Sequence, residues 1–452
     1  MLQRKIDQVI AHHFATEKKA LFLTGARQVG KSFAIEKYAR AHYAVYVECN
    51  FYREPDLEEL VKGAKDEKDL LSKLSLYKNT SFVEGETFIF FDEIQRCPDI
   101  MTWVKFLVQD GRYQYALSGS LLGIELKGVR SMPVGFVNEY QVYPMDLEEF
   151  WKAIGVGLEW IDQLRICYEK RTEVDPFVHK KLMELYHLYL VVGGMPAVVQ
   201  KYVDSHDFVQ VIEEQKSILA LYKRDISLYN AGHELEINEI FDLIPSELNA
   251  QNKRFVFKDL HDKARFEDHK SDFLWLKQAN MALPTYNVDV PKYPLKMGEK
   301  RNLFKLFQND VGLLCCQFAD GVQLQLVKGN TNINFGAIYE NAVAQELHAH
   351  GWELYYFNSK KQGELDFLIE RDATIIPVEV KSGKTYERHR ALNNVLDCPE
   401  YQLAEPIVLT NDNLSRKDGL LYMPVYMLMF LKKELPSSPQ IYQPDLTGLI
   451  AD

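Results

Sequence analysis

Short apolar runs separated by amphipathic stretches fill the first third of the chain. Ala20–Thr24, Ala44–Cys49, Phe88–Asp92, Gln114–Ser118 and Glu139–Tyr143 read as strands, and Lys31 to His42 has helical spacing. Strands that are apolar almost throughout suit a parallel sheet covered by helices on both faces. From Met145 to Tyr229 the period turns helical, broken at Gly193-Gly194-Met195-Pro196.

The pattern changes again after residue 233. A helix over Glu234–Leu248 precedes a strand-like Arg254–Lys258, a helical Asp259–Asp268, a helix from Ser271 and a strand-like Ala282–Val290. Helices followed by a hairpin are the order of a winged helix-turn-helix. The last part reads as a helix (Phe335–His350), three strands (Glu353–Phe357, Glu364–Ile369, Thr374–Val380), a helix (Tyr386–Leu396) and a strand (Pro406–Leu409). Leu-Pro-Ser-Ser-Pro beyond Lys433 predicts a loosely ordered tail. No internal repeat is visible. The expected fold is multidomain α/β. It comprises a parallel-sheet core (1–150), a helical region (151–233), a winged-helix-like region (234–329), an α/β domain (330–436) and a tail (437–452).

Composition bounds this picture. At ~150 residues per domain, 452 residues predict about three domains. Apolar residues at 47% and charged ones at 26% are ordinary globular values, and a net charge of −11 argues against a general nucleic-acid binder. Six scattered cysteines without C-x-x-C spacing read as reduced thiols, with Cys315 and Cys316 expected in a buried strand. The apolar stretches Leu185–Val199 and Leu420–Leu431 contain Gly or Pro and fall short of the ~20 residues of a membrane span. The N-terminal stretch is charged and amphipathic rather than signal-like. The expectation is a cytoplasmic protein with no membrane partner. His348 and His350, two apart on a helix, do not share a face and are not expected to ligate one metal.

Two strings carry the clearest chemistry. Gly25-Ala26-Arg27-Gln28-Val29-Gly30-Lys31-Ser32 fits G-x-x-x-x-G-K-[ST] at every fixed position, between a strand and a helix. Two glycines let successive N–H groups face a phosphate, and the helix N-terminus adds its dipole. Lys31 neutralises β/γ charge, and Ser32 offers its hydroxyl to Mg²⁺. Thr87-Phe88-Ile89-Phe90-Phe91-Asp92-Glu93 ends an apolar strand in two carboxylates. Asp92 is placed for the Mg²⁺ shell and Glu93 for activating water. Ser118, ending the neighbouring strand, is a candidate contact to the γ-phosphate or the water. Arg130 is the first candidate for transition-state charge, with Arg96 and Arg112 in competition.

GARQVGKS, FFDEIQRCPD, LSGSLLG, YPMDLEEFW, YLVVGGMP and YKRDISLY occur in that order. Together they resemble a large group of prokaryotic AAA-type ATPases with a C-terminal domain of unknown function, over the chain to about Leu431. The resemblance implies an ASCE-type P-loop core, a helical lid, a winged-helix region and a C-terminal nuclease-like domain. Lys31, Ser32, Asp92 and Glu93 match the family's nucleotide motifs. Its Gly-Arg after the sensor strand is replaced here by Lys127-Gly128-Val129-Arg130.

Residues 251–305 hold 12 Lys/Arg against 7 Asp/Glu, a local surplus of five in an acidic chain. That basic region is a candidate DNA contact. Its helix around Asp272–Lys277 offers few side chains suited to base edges, so a protein-interaction role competes. Further on, Asp366 and Glu379 lie on adjacent predicted strands, and Lys381 is two residues past Glu379. With Glu340 on the preceding helix, this resembles the PD-(D/E)xK nuclease core. The resemblance implies a second Mg²⁺ or Mn²⁺ held by Asp366, Glu379 and Glu340, with Lys381 assisting. Pro377 predicts a bulge or an edge position. The function expected is ATP binding and hydrolysis coupled to a DNA-binding or nuclease-like domain. The alternative is a non-nucleolytic ATP-dependent interaction switch, acting on a protein partner or a second copy.

Overall fold

This computed structural model describes residues 2–119, 133–229, 232–250, 253–262, 264–318, 321–329, 335–383, 386–433 and 444. Helix α1 (Lys5–Thr16) leads into β1 (Ala20–Thr24), whose first four residues are buried. The chain then runs through α2 (Lys31–His42), β2 (Val45–Asn50), α3 (Asp56–Lys62), α4 (Glu67–Tyr77), β3 (Thr87–Asp92), α5 (Ile100–Asp110), β4 (Gln114–Ser118) and β5 (Val137–Gln141). The five strands are parallel in the order β2-β3-β4-β1-β5. Phe88 and Phe90 pack on one face, and Ile89 and Phe91 on the other. Both faces are therefore covered, as the unbroken apolar run requires. Because β4 lies between β1 and β3, Ser118 stands beside both the phosphate loop and Asp92.

A helical layer follows: α6 (Leu147–Ala153), α7 (Leu158–Lys170), α8 (Pro176–Val192), α9 (Pro196–Ser205) and α10 (Phe208–Tyr229). Asp146 caps α6 in a capping box with Glu149. The break between α8 and α9 is a close approach. A Cβ on Gly194 would meet the Met145 carbonyl oxygen at 2.0 Å, and Gly194 N donates to Asp310 Oδ2 at 2.6 Å. The GGMP string thus joins α6 and α8 to a distant part of the chain.

The remainder comprises α11 (Glu234–Asn249), α12 (Phe266–Gln278), β6 (Ala282–Val288), β7 (Glu299–Gln308), α13 (Val311–Cys315), α14 (Val322–Val327), α15 (Gly336–Ala349), β8 (Tyr355–Ser359), β9 (Gly363–Arg371), β10 (Thr374–Val380), α16 (Arg390–Leu396), β11 (Ile407–Thr410), β12 (Ser415–Lys417) and β13 (Leu420–Pro424). The β6–β7 hairpin adds to the C-terminal strands, with β6 parallel to β8. The result is a mixed eight-stranded sheet in the order β12-β13-β11-β10-β9-β8-β6-β7.

Several local expectations are corrected. Arg254–Lys258 is not a strand: Phe255 N donates once to Phe304 O, at 2.9 Å, and a 3₁₀ turn starts at Phe257. Asp259–Asp268 is mostly non-helical, and α12 begins at Phe266 rather than near Ser271. Cys315 and Cys316 end a short buried helix, not a strand, because Asp310 caps it through Leu313 N. Pro377 pairs in register with Leu368 without a bulge, in an interior strand. The ladder to β11 starts at Val378, so Pro377 removes no rung from it. Among the described residues no helix is long and apolar enough to cross a membrane.

Candidate functional site

The loop between β1 and α2 is held by two backbone constraints. Gly25 has φ +134°, and a Cβ there would meet Val142 O at 2.2 Å. Gly30 has φ +90° as it opens α2. Lys31 turns back into the loop and donates to Gly25 O at 2.9 Å and Ala26 O at 2.8 Å. Burial pushes its ammonium down to about 8, against the opposing pull of Glu93 and Asp92.

Asp92 is the hub. Ser32 Oγ lies 3.1 Å from both of its carboxylate oxygens, and Asn50 Nδ2 donates to Oδ2 at 2.9 Å. Ser118 Oγ donates to Oδ1, and Glu93 N reaches the same oxygen at 3.0 Å. Glu93 itself has φ +56°, turning sharply out of β3. Its Oε2 accepts from Gln95 Nε2 and lies 3.9 Å from Arg27 Nη2. Arg27 Nη1 pairs with Asp225 Oδ1 of α10 at 2.7 Å. Burial pushes Asp225 up to about 6, although Arg27 opposes the shift. Tyr222, one turn earlier, donates to Arg27 O at 3.4 Å and accepts from Asn309 Nδ2 at 3.0 Å.

Thus the strings predicted to work together do meet: Lys31, Ser32, Asp92, Glu93 and Ser118 share one end of the sheet. Arg96 is on that end too, its guanidinium 5.5 Å from the centre of the Tyr52 ring. Arg112 is not. It precedes β4, at the opposite end of the strands from Ser118, and pairs with Asp110 at 2.7 Å. Arg130 lies outside the described residues. Asn50, Tyr222 and Asp225 were missed. YKRDISLY contains Asp225, but only the fold brings it to the loop.

The second predicted cluster gathers with a difference. Glu340, Asp366 and Lys381 line a cavity of about 250 Å³ with Lys253, Ser382 and Tyr386. Asp366 Oδ2 accepts from Val380 N at 2.9 Å, and Lys381 Nζ pairs with Glu379 Oε2 at 2.9 Å. The difference is Lys305 of β7, fully buried. Its ammonium lies 2.6 Å from Glu364 Oε1, 3.6 Å from Glu340 Oε2 and 3.9 Å from Asp366 Oδ1, while Lys253 pairs with Glu340. Burial alone would raise Asp366, but Lys305, Lys253 and Lys381 hold it below the usual carboxylate range. Glu379 is pushed up to about 8 by burial and by Asp366. The carboxylates expected to share a metal do not bring their oxygens together. Among the described residues the group whose ligand atoms all lie within 4.8 Å is a different one, Asp146, Glu346 and His350. The ammonium of Lys305 lies between Glu340, Glu364 and Asp366.

A groove of about 690 Å³ separates β5 from α12 and the β6–β7 hairpin. Lys270, Lys277, Lys296 and Arg301 line it with Tyr286 and Tyr355, and it reaches Gly25 at the phosphate loop.

Residues 17–151 match an AAA domain family. With the loop, the parallel sheet and the Ser32–Asp92 contact in place, that match supports a P-loop AAA-type ATPase domain over these residues. Residues 183–323 and 335–428 match two domains of unknown function, DUF8612 and DUF4143. Nothing matches among curated proteins. Similar solved structures include the Walker-type ATPase PABY2304 of Pyrococcus abyssi (15% identity, covering 70% of this chain and 96% of that one, TM-score 0.41). Others are Cdc6p from Pyrobaculum aerophilum (12%, 72% and 92%, TM-score 0.26) and the Aeropyrum pernix ORC1 protein in complex with DNA (10%, 72% and 91%, TM-score 0.24).

Proposed function

We propose that this protein is a Mg²⁺-dependent ATP phosphohydrolase whose nucleotide state is read by α10 and passed to a nucleic-acid-binding C-terminal half. The observation that carries the ATPase reading is the convergence of Ser32, Asn50 and Ser118 on Asp92, beside the buried Lys31. The donor set is hard oxygen, which suits Mg²⁺, with Ser32 and Asp92 as the residues that hold it. The ion supplies neutralisation of phosphate charge. Lys31 leaves the carbonyls of Gly25 and Ala26 for the β/γ-phosphates. Glu93 takes the proton of the attacking water, Ser118 orients that water or the γ-phosphate, and Arg96 is the cis arginine on the same sheet end. The test is ATP turnover by the full chain, which must vanish without Mg²⁺ and in Asp92→Asn.

The middle and last regions are the output. We assign 234–329 to a winged-helix-like unit and 330–436 to a nuclease-like one, after a core (1–150) and a helical lid (151–233). The groove beside the phosphate loop, where Lys270, Lys277, Lys296 and Arg301 stand against Glu139, Glu299 and Glu353, supports a DNA contact coupled to nucleotide. The order α15–β8–β9–β10–α16–β11, carrying Glu340, Asp366, Glu379 and Lys381, supports the PD-(D/E)xK layout. The ammonium of Lys305 among its carboxylates favours a second reading, an interaction switch that binds without cutting. Incubating single- and double-stranded DNA with the full chain and Mn²⁺, with and without ATP, separates the two. Cleavage abolished in Asp366→Ala, Glu379→Ala and Lys381→Ala supports the nuclease; neither cleavage nor retention of DNA under any condition supports the switch, which acts on a protein partner or a second copy.

A further inference from the structure

Away from both sites, three residues from two distant parts of the chain meet in the interior. Asp146 caps α6 through Glu149 N, at 2.9 Å from its Oδ1. Glu346 and His350 are one turn apart at the end of α15 and its cap. All three are buried, and one ligand atom of each lies within 4.8 Å of the others. His350 Nε2 is 3.7 Å from Asp146 Oδ2 and 3.5 Å from Glu346 Oε1.

The orientation of each group is fixed from behind. His350 Nδ1 faces Leu431 O at 3.1 Å; a carbonyl only accepts, so Nδ1 carries a proton, and in the neutral imidazole Nε2 presents its lone pair. Glu346 Oε2 accepts from Leu147 N at 3.1 Å, which leaves Oε1 for the centre. His350 Nε2 and Glu346 Oε1 face each other at 3.5 Å, shut away from solvent, and neither completes a hydrogen bond. Such atoms are costly to leave bare. A carbonyl behind the imidazole and a backbone N–H behind the carboxylate are the outer contacts that orient metal ligands. Donor atoms ~2.1 Å from one ion in tetrahedral array are ~3.4 Å apart. The two distances from Nε2 need close by only a few tenths of an ångström.

We propose that Asp146, Glu346 and His350 bind one first-row divalent cation, with Zn²⁺ the best fit to one imidazole and two carboxylates. Three protein donors leave a fourth position for water. Lys5 Nζ pairs with Asp146 Oδ2 and also lies 2.8 Å from Glu148 Oε2. The ion takes Asp146 Oδ2, and Lys5, a third exposed, keeps Glu148. The ion would clamp α6, next to the ATPase sheet, onto α15 of the C-terminal half.

The test uses the full chain, stripped with a chelator, dialysed and titrated with Co²⁺ or Zn²⁺ without nucleotide. One equivalent should bind, with visible Co²⁺ absorption, and Zn²⁺ should raise the melting temperature. Both responses should persist in Asp366→Ala/Glu379→Ala and in Ser32→Ala, which separates this site from the other two. His350→Gln and Glu346→Gln should lose both. If one variant fails to fold, X-ray absorption of the Zn²⁺-loaded parent should show one imidazole among oxygen donors. A parent that binds no equivalent, or binding that survives in both ligand variants, overturns the site and leaves a protonated imidazole bridging the two carboxylates.

Discussion

Arg27 of the phosphate loop and Asp225 of α10 form an ion pair, Nη1 to Oδ1 at 2.7 Å, and the free side of the same guanidinium lies 3.9 Å from Glu93. One cation is therefore shared between the residue assigned to activate water and a helix nearly 200 positions away. A movement of α10 would change how much of Arg27 falls on Glu93. Tyr222 and Asn309 continue the path to the end of β7.

Asp225→Asn tests this sharing. The amide keeps the shape and removes the charge, so Arg27 should turn toward Glu93 and weaken it as a base. ATP turnover should fall about tenfold while ATP affinity changes little, a kcat effect without a matching KM effect. Stability should hold or rise at pH 7, since burial keeps the Asp225 carboxyl above the ordinary range and its charge costs more in the folded chain than in the unfolded one. Steady-state kinetics with chemical denaturation checks both. Unchanged kcat in a folded variant would show that α10 does not act through Arg27.

Lys31→Ala should abolish most nucleotide affinity, as read by calorimetric titration with Mg-ATP. The parent carries a pH signature of the same residue. Burial holds Lys31 at about 8 in the free protein, and phosphate oxygens should raise it on binding. The bound state then holds more protons above pH 8, so affinity should fall as pH rises through 8 to 9. Titrations of the parent in buffers of different ionisation enthalpy should register proton uptake at pH 8.5 and little from this residue at pH 6.5, where it is protonated both free and bound.

Glu93→Gln should bind ATP normally and hydrolyse it ~10²–10⁴-fold more slowly. The side chain projects from a residue at φ +56°, anchored by its own N–H to Asp92, so the amide is held in the same place. A single-turnover measurement with Mg-ATP decides; parent-rate hydrolysis would move the role of base elsewhere.

What the sequence disclosed follows from range. β1 and β4 were legible to the residue because a strand buried on both faces is apolar throughout and stops where the loop begins. Lys31, Ser32 and Asp92 were legible because phosphate binding fixes spacing within a few positions. Asp225 and Tyr222 were not, because their value lies in reaching Arg27 across the fold. Lys305 was the least visible. It follows Lys300 and Arg301, which are exposed, and only the pairing of β6 with β8 carries it into the interior. Cys315 and Cys316 misled for the opposite reason: a short apolar run fits a buried strand or helix equally, and the Asp310 cap decides.

Lys305→Met bears on what the C-terminal carboxylates are built to hold. Methionine fills similar volume but leaves Glu340, Glu364 and Asp366 without their central ammonium. Breaking a buried ionic cluster from one side costs ~3–5 kcal/mol. In the variant these carboxyls should titrate higher in the folded state than in the unfolded chain. Its stability should then be greatest below about pH 4 and fall as pH rises through the carboxylate range, opposite to a group whose folded value is depressed. Mn²⁺ gives the discriminating comparison. If Lys305 stands where a cation would sit, Mn²⁺ should raise the melting temperature of the variant at pH 7 and leave the parent nearly unchanged. Equal Mn²⁺ responses in parent and variant would mean that the ion binds without displacing Lys305, and would return the advantage to the metal-dependent nuclease reading.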